Sequence, residues 1–480
     1  MISDQSRMPL VEAMEGHMKG NPISFHVPGH KNGLLVKGDR QQEFLRCDLT
    51  ELSGLDDLHE PAEAIAEAEQ LLSDYYKTKK SYFLVNGSTV GNLASIMSSC
   101  KQGEIVFVQR NCHKSVLHGI KLAKAVPVFL ETEWDAKSQT ALGVSLDTVK
   151  SALEQFPQAK ACVLTYPTYY GLTYPVQAII KELHKYGILV IIDEAHGPHF
   201  GAWKGLPLST LQMGADLVVH SAHKMLPAMT MGSFLHINND RVNKDRVKSY
   251  VSMLQSSSPS YPIMASLDYA RYYIARFSRE EIKLNQVLVD KFIHSLENID
   301  AMLKVVRTDD PLKVLVRWEG VSGYDFQRAL EMEGVYTELA DPYQVLFIFP
   351  LVKIKVDFPF KEALEKISCA IKNANIDKRE IKLFEPLPRI NKISSLALSL
   401  EEMEVKKEKW IRLEDSIGYI SSQMVIPYPP GIPTLIPGER VTEDKVTIIK
   451  SYWENGAKIQ GNHRLEDRKI AVYDMLEVEG

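Results

Sequence analysis

Short, almost continuous apolar runs alternate along this chain with longer stretches of helical period. The runs fall at Ser81–Val85, Glu104–Gln109, Val126–Leu130, Ala161–Thr165, Ile188–Ile192, Leu217–His220 and Ser233–Ile237. Between them, Val90–Cys100, Lys114–Lys124, Leu146–Gln155 and Val176–Tyr186 repeat their apolar residues every three or four positions, and Gly187 closes the last. Strands that do not alternate with polar residues are buried on both faces, and the intervening helices supply the cover. The pattern predicts an α/β fold with a mostly parallel sheet over residues 60–275.

On either side the pattern changes. Residues 8–20 read as an amphipathic helix, with Pro9 near its start and Gly20 just past its end. Phe25–Gly33 (FHVPGHKNG) is a turn-rich arm that reads, by composition, as a surface connection. A helix is expected from Pro61 to Tyr76, and long helices across 264–300. Further on come runs at Leu312–Trp318 and Val345–Phe349, helices around Asp325–Met332 and Lys361–Lys372, and a run at Ile393–Leu400. A helix near Glu443–Glu454 and a strand at Ile470–Tyr473 follow. The prolines of Pro427–Pro433 are too dense for a central strand or helix and predict an extended segment. The expected division is an N-terminal arm at 1–59, a large domain at 60–275, a small α/β domain at 276–385 and a C-terminal domain at 386–480.

Composition narrows the function. A net charge of −5 gives no reason to expect nucleic acid or an anionic membrane as partner. Five scattered cysteines without C-x-x-C spacing argue against a disulfide framework and a zinc ribbon. Without a signal peptide or an apolar run of membrane length, a cytoplasmic location is expected.

Four clusters sit at the ends of apolar runs, where open α/β sheets place their chemistry. In Val85–Asn92 (VNGSTVGN) a glycine turn, the hydroxyls of Ser88 and Thr89 and a helix start make an anion site, unless those hydroxyls merely cap the helix. In Arg110–Ser115 (RNCHKS), His113 can lie over a planar cofactor or shuttle a proton, although a capping or solvated histidine is the commoner reading of the residue taken alone. In Asp193–Gly197 (DEAHG), Asp193 needs a partner if buried, and a protonated pyridine nitrogen would provide one. In His220–Lys224 (HSAHK), Ser221 and His223 can donate to a phosphate, and Lys224 can attack an aldehyde to carry pyridoxal 5′-phosphate as a Schiff base. Asp193, His196, His199, His220 and His223 also suit a metal, which would make the protein a metallohydrolase, but their spacing fits no H-E-x-x-H pattern. No metal is expected.

Together PGHKNG (28–33), VNGST (85–89), RNCHKS (110–115), YPTYYG (166–171), DEAHG (193–197), SAHK (221–224), SSSPSYPIMAS (256–266) and PYPPGIPTLIPGE (427–439) resemble the bacterial Orn/Lys/Arg decarboxylases. These are pyridoxal-phosphate enzymes of aspartate-aminotransferase-like fold. The resemblance implies a Schiff base at Lys224, Asp193 at the ring nitrogen, His113 stacked on the ring, and Ser88, Thr89, Ser221 and His223 on the phosphate. Ala195 and His196 would lie beside the ring, His196 where relatives can carry a tryptophan. Ser257 stands where some relatives use a threonine that reaches a neighbouring subunit's phosphate, implying a homodimer with shared sites. The PGH segment begins at residue 28, so the chain resembles the short form, similar to the biosynthetic arginine decarboxylase of Gram-positive bacteria.

The implied reaction is α-decarboxylation of a basic L-amino acid, arginine before lysine or ornithine, giving a polyamine precursor. A non-catalytic protein that kept the fold is the remaining alternative. Reading the substrate's distal cation needs an acid away from the ring; Glu338, Asp341 and Glu439 are the candidates.

Overall fold

A computed structural model describes residues 4–376, 392–428, 432–454, 457–461 and 464–475. Pro429, Pro430 and Gly431 of the expected extended segment, and the expected domain boundary at 385/386, lie outside the described residues. The chain divides into two compact units: residues 1–101, 160–166 and 175–279 form the first, and 102–159, 167–174 and 280–480 the second.

Five strands of the first unit lie in the order Lys80–Leu84, Ser233–Ile237, Leu217–His220, Leu189–Asp193 and Ala161–Thr165. The last three are mutually parallel. Ser233–Ile237 runs against both of its neighbours, so four of the five strands share one direction. Each of these strands was legible as an apolar run. The central ones are buried at nearly every position, which is why they carry no polar alternation.

Two helices cover opposite faces of these strands. Gly87–Ser99 lies so close that a Cβ on Gly91 would come within 2.7 Å of Val219 Cγ1. On the other face the Tyr76 ring, at the end of helix Ala64–Tyr76, packs on His220 and His236 with centroids 5.1 and 4.7 Å away. That helix begins three residues later than Pro61 suggests. Its start is set by Asp56, whose carboxylate accepts from the backbone N–H groups of Ala62, Glu63, Ile65 and Ala66 at 2.8–3.2 Å. Helix Val176–Lys185 ends as expected: Gly187 takes φ 75°, and the Gly187 and Ile188 N–H groups return to His184 and Leu183 carbonyls. The long-helix stretch resolves into Tyr261–Ala275 here and Arg279–Glu297, which lies almost wholly in the second unit.

In the second unit Ile105–Gln109 pairs in parallel with Val126–Leu130, and Ile393–Ser395 adds antiparallel to the latter. A four-stranded antiparallel sheet follows the order Leu303–Arg307, Lys313–Trp318, Val345–Ile348, Leu339–Ala340. Near the C-terminus Glu408–Arg412 pairs with Lys469–Tyr473, and a core of Leu413, Val425, Leu435, Ile449 and Ile470 packs with helix Glu443–Glu454.

The Asp56 cap yields a stability test. Burial pushes its carboxyl up, but the backbone donors together outweigh burial and hold it below the usual aspartate value. A depressed folded value contributes stability above the unfolded pKa, about 4, and loses it as pH falls through the folded value. Asp56→Ala should therefore cost about 1–2 kcal/mol at pH 7. The gap from the parent should shrink as pH is lowered toward 3, as read by urea denaturation at each pH.

Candidate active site

Strand Leu189–Asp193 delivers two carboxylates in succession at its end. Because strand side chains alternate, Asp193 and Glu194 point to opposite faces. Asp193 is buried and accepts from Asn92 Nδ2 of helix Gly87–Ser99 at 2.9 Å and from the Ala195 N–H at 3.2 Å. Asn92 is one of several polar residues buried on that helix, with Ser95 and Ser98, so nothing in its spacing sets it apart in the sequence. Glu194 turns instead to His220 and Thr210.

The neighbouring strand, Leu217–His220, ends at Ser221, followed by the single helical turn Ala222–Met225. That turn carries Lys224, whose Nζ lies 2.9 Å from His196 Nε2. His196 follows Asp193 by three residues and is itself buried. Ser221 Oγ lies 2.8 Å from Ser88 Oγ, at the first turn of helix Gly87–Ser99. His223 Nδ1 lies 2.9 Å from the Gly232 carbonyl. The helix has no side-chain cap from Asn86, and a Cβ at Gly87, φ 79°, would meet nothing within 4 Å. Open space beside uncapped backbone N–H groups and hydroxyls is a cradle for an anion.

The first unit thus links Ser88 with Ser221, Lys224 with His196, and Asp193 with Ala195, all at the ends of adjacent strands. Thr89 is exposed on the same helical turn as Ser88, and Ser257 is exposed in the segment after helix Lys244–Leu254. The five groups weighed as metal ligands do not converge: Asp193 faces Asn92, His196 faces Lys224, His220 faces Glu194, His223 faces Gly232, and the His199 ring lies edge-on to Phe200.

The other candidates belong to the second unit. His113 caps helix Lys114–Ala123, its Nδ1 accepting from the Ser115 N–H at 3.2 Å. Exposed Glu338 accepts from the Tyr169 hydroxyl at 2.5 Å. Buried Asp341 accepts from the Tyr343 and Gln344 N–H groups, from Gln344 Nε2 and from the Tyr170 hydroxyl; burial pushes its carboxyl up. Tyr169 and Tyr170 belong to the YPTYYG stretch, so that loop meets two of the three candidate acids. Glu439 is held by Arg110 of the RNCHKS stretch, which donates from Nε at 3.0 Å and Nη2 at 2.7 Å, and by Lys445. Arg110 also donates to the carbonyls of Pro433 and Thr434. Nothing in the spacing of Arg110 and Glu439, more than three hundred residues apart, announces this pair.

The major-domain model of the Orn/Lys/Arg decarboxylases matches residues 8–305, and the family's C-terminal-domain model matches 381–460. The chain belongs to the Orn/Lys/Arg decarboxylases. The uncharacterized protein YaaO of Bacillus subtilis is 43% identical, over 97% of this chain and 98% of its own. An arginine decarboxylase of Halalkalibacterium halodurans is 32% identical, over 96% of each chain. The fold is shared with the Escherichia coli constitutive lysine decarboxylase, at TM-score 0.76 and 20% identity over 98% of this chain and 82% of that one. It is shared also with an SPT solved with PLP, at TM-score 0.54 and 16% identity over 78% and 87%. The expected fold is therefore borne out, and this decarboxylase uses pyridoxal phosphate. The residues present fit that group: an uncapped helix start with two hydroxyls for a phosphate, a lysine at a strand end, and a buried aspartate on the neighbouring strand.

The Arg110–Glu439 pair predicts a measurable coupling. Burial alone would raise the Glu439 carboxyl, but Arg110 and Lys445 outweigh it and hold it below its usual value. Arg110→Met leaves a buried carboxylate with only Lys445 and the Ile436 N–H among the described residues and should cost about 3 kcal/mol, whereas adding Glu439→Gln should recover part of that loss. A double-mutant cycle in chemical denaturation reads the coupling.

Proposed function

We propose that this chain decarboxylates a basic L-amino acid at its α-carbon, with arginine as the preferred substrate, to make a polyamine precursor in the cytoplasm. The observation that carries the arginine reading is the likeness, end to end, to arginine decarboxylases at 31–32% identity, against 22–23% for lysine decarboxylases. Pyridoxal phosphate, when bound, takes up the electron pair left by the departing carboxylate.

The chain's own residues then divide the remaining work. Lys224 Nζ is the covalent anchor, and His196 Nε2 beside it can hold its proton while the amine acts as nucleophile. Asp193, oriented by Asn92 and the Ala195 N–H, keeps a negative charge where a ring nitrogen must stay protonated. Ser88, Thr89 and Ser221 hold the phosphate with the backbone of the first helical turn. Among the candidate acids, Glu338 suits the substrate's distal cation best, because it is exposed and keeps a carboxylate oxygen beyond the one that meets Tyr169. The carboxylate of Glu439 is engaged by Arg110 and Lys445, and that of Asp341 by its own turn.

A homodimer belongs to the same proposal. Ile23, Phe25, Val27, Leu34 and Leu35, which flank PGHKNG, are 66–94% exposed, an apolar surface of the kind a second copy covers. Exposed Ser257 is available to a neighbouring subunit.

A panel of amino acids assayed for carbon dioxide release with added pyridoxal phosphate tests the reading. Arginine should turn over fastest and agmatine should accumulate; a protein that releases no carbon dioxide from arginine, lysine or ornithine would refute it. Lys224→Ala should lose activity by a factor on the order of 10³ or more. Borohydride should attach the cofactor to Lys224 in the parent and leave the variant unlabelled.

A further inference from the structure

Behind the strand ends runs a second polar chain that the reaction as drawn does not use. Glu194 Oε1 lies 3.2 Å from His220 Nε2, His220 Nδ1 lies 3.1 Å from His236 Nε2, and His236 Nδ1 lies 2.7 Å from Ser81 Oγ. Ser81 Oγ is 2.8 Å from the half-buried Thr78 Oγ1. Glu194, His220, His236 and Ser81 are each 0% exposed. The second Glu194 oxygen accepts from the N–H of Thr210 at 2.7 Å and from its hydroxyl.

Strand register explains why these groups meet. Ser81 stands opposite His236, and His236 opposite Val218, two residues before His220, so all three polar side chains share one face. Glu194 falls on that face because Asp193, one residue earlier, pairs with Val219 on the other. The titratable groups facing His220 are Glu194 beyond the adjacent strand, His236 on the next, and Tyr76 of the covering helix. Burial and the nearby His220 keep His236 neutral, its pKa well below the ordinary histidine value. A carboxylate offers only lone pairs, so the hydrogen between Glu194 and His220 sits on His220 Nε2.

We propose that the buried Glu194–His220–His236–Ser81 chain is a positioning device that ties four adjacent strands together and so holds Asp193 and Lys224 in register for decarboxylation. Glu194 follows Asp193 directly, and His220 directly precedes the Ser221–Lys224 turn. The Glu194–His220 bond therefore ties together the two backbone positions from which the aspartate and the lysine project. Losing it lets the two ends slide, and a displacement of about 1 Å at reacting groups can cost on the order of 10²-fold in rate. The inference rests on the proposed reaction.

Three variants test it in the holoenzyme. His220→Leu keeps volume but removes both hydrogen bonds; His220→Gln can donate to Glu194 from its amide and accept from His236 on its oxygen. The leucine variant should lose at least tenfold in kcat with KM within threefold of the parent. The pH midpoint of the bound cofactor's absorbance band should move by at least half a unit, and glutamine should restore both. A leucine variant that folds, binds cofactor and keeps kcat and midpoint within twofold and 0.2 unit would overturn the proposal, as would glutamine failing as badly as leucine. If His220→Leu does not fold, Ser81→Ala at the far end decides: a displaced midpoint supports the chain, and an unmoved midpoint with parental kcat refutes it. A parent that shows no cofactor band or releases no carbon dioxide would instead refute the reaction.

Discussion

Two neighbouring carboxylates, both buried, at the end of a fully apolar strand impose the constraint around which the first unit is built. An unpaired carboxylate in such surroundings would cost several kcal/mol or lose its charge. The alternation of strand side chains prevents Asp193 and Glu194 from sharing a partner, so each face of the sheet must satisfy its own acid. On one face Asn92 does so from a helix that Gly91 allows to approach closely. On the other, His220 and Thr210 do so, with His236 and Ser81 behind them. The helices, the glycine and the histidines follow from that single strand ending.

The second unit solves a similar problem with a cation. Arg110 leaves the end of strand Ile105–Gln109 with five N–H donors, and a buried guanidinium needs acceptors on several sides. Glu439 provides a planar pair, and the carbonyls of Pro433 and Thr434 accept the rest. Proline supplies no N–H, so a proline-rich segment presents carbonyls without competing donors. The carbonyls of Pro433 and Thr434 thereby serve as acceptors for an arginine more than three hundred residues earlier in the chain.

Much of this frame was legible before any coordinates. Each strand of the first unit was visible because burial on both faces removes polar alternation, and helices such as Leu146–Gln155 and Val176–Lys185 were visible because one face is apolar. Strand Leu303–Arg307 was missed because its inward residues, Leu303 and Val306, are separated by exposed or half-exposed positions, a pattern too short to separate from a loop. The hairpin Thr132–Asp135 with Thr140–Val144 was hidden by a register irregularity near its open end. Of the candidate site, Lys224, Ser221, Ser88 and Asp193 stood out in the sequence because each follows an apolar run. Asn92, Glu194 with His220, and Arg110 with Glu439 could not, because their meaning lies in partners that only strand register and chain crossings bring together.

The two faces of the sheet also explain why the chemistry can be concentrated on so few residues. In the proposed reaction Lys224 must stay free to change partners during turnover, so it would not be fixed by strong, permanent bonds of its own. Rigidity has to come from groups that do not react, placed where water and substrate do not reach. The fully buried Glu194, His220, His236 and Ser81 meet that requirement, since each takes its partners from within the protein. Under the proposed positioning role, adjacency along the backbone would transmit their order to Asp193 and Lys224 without contact.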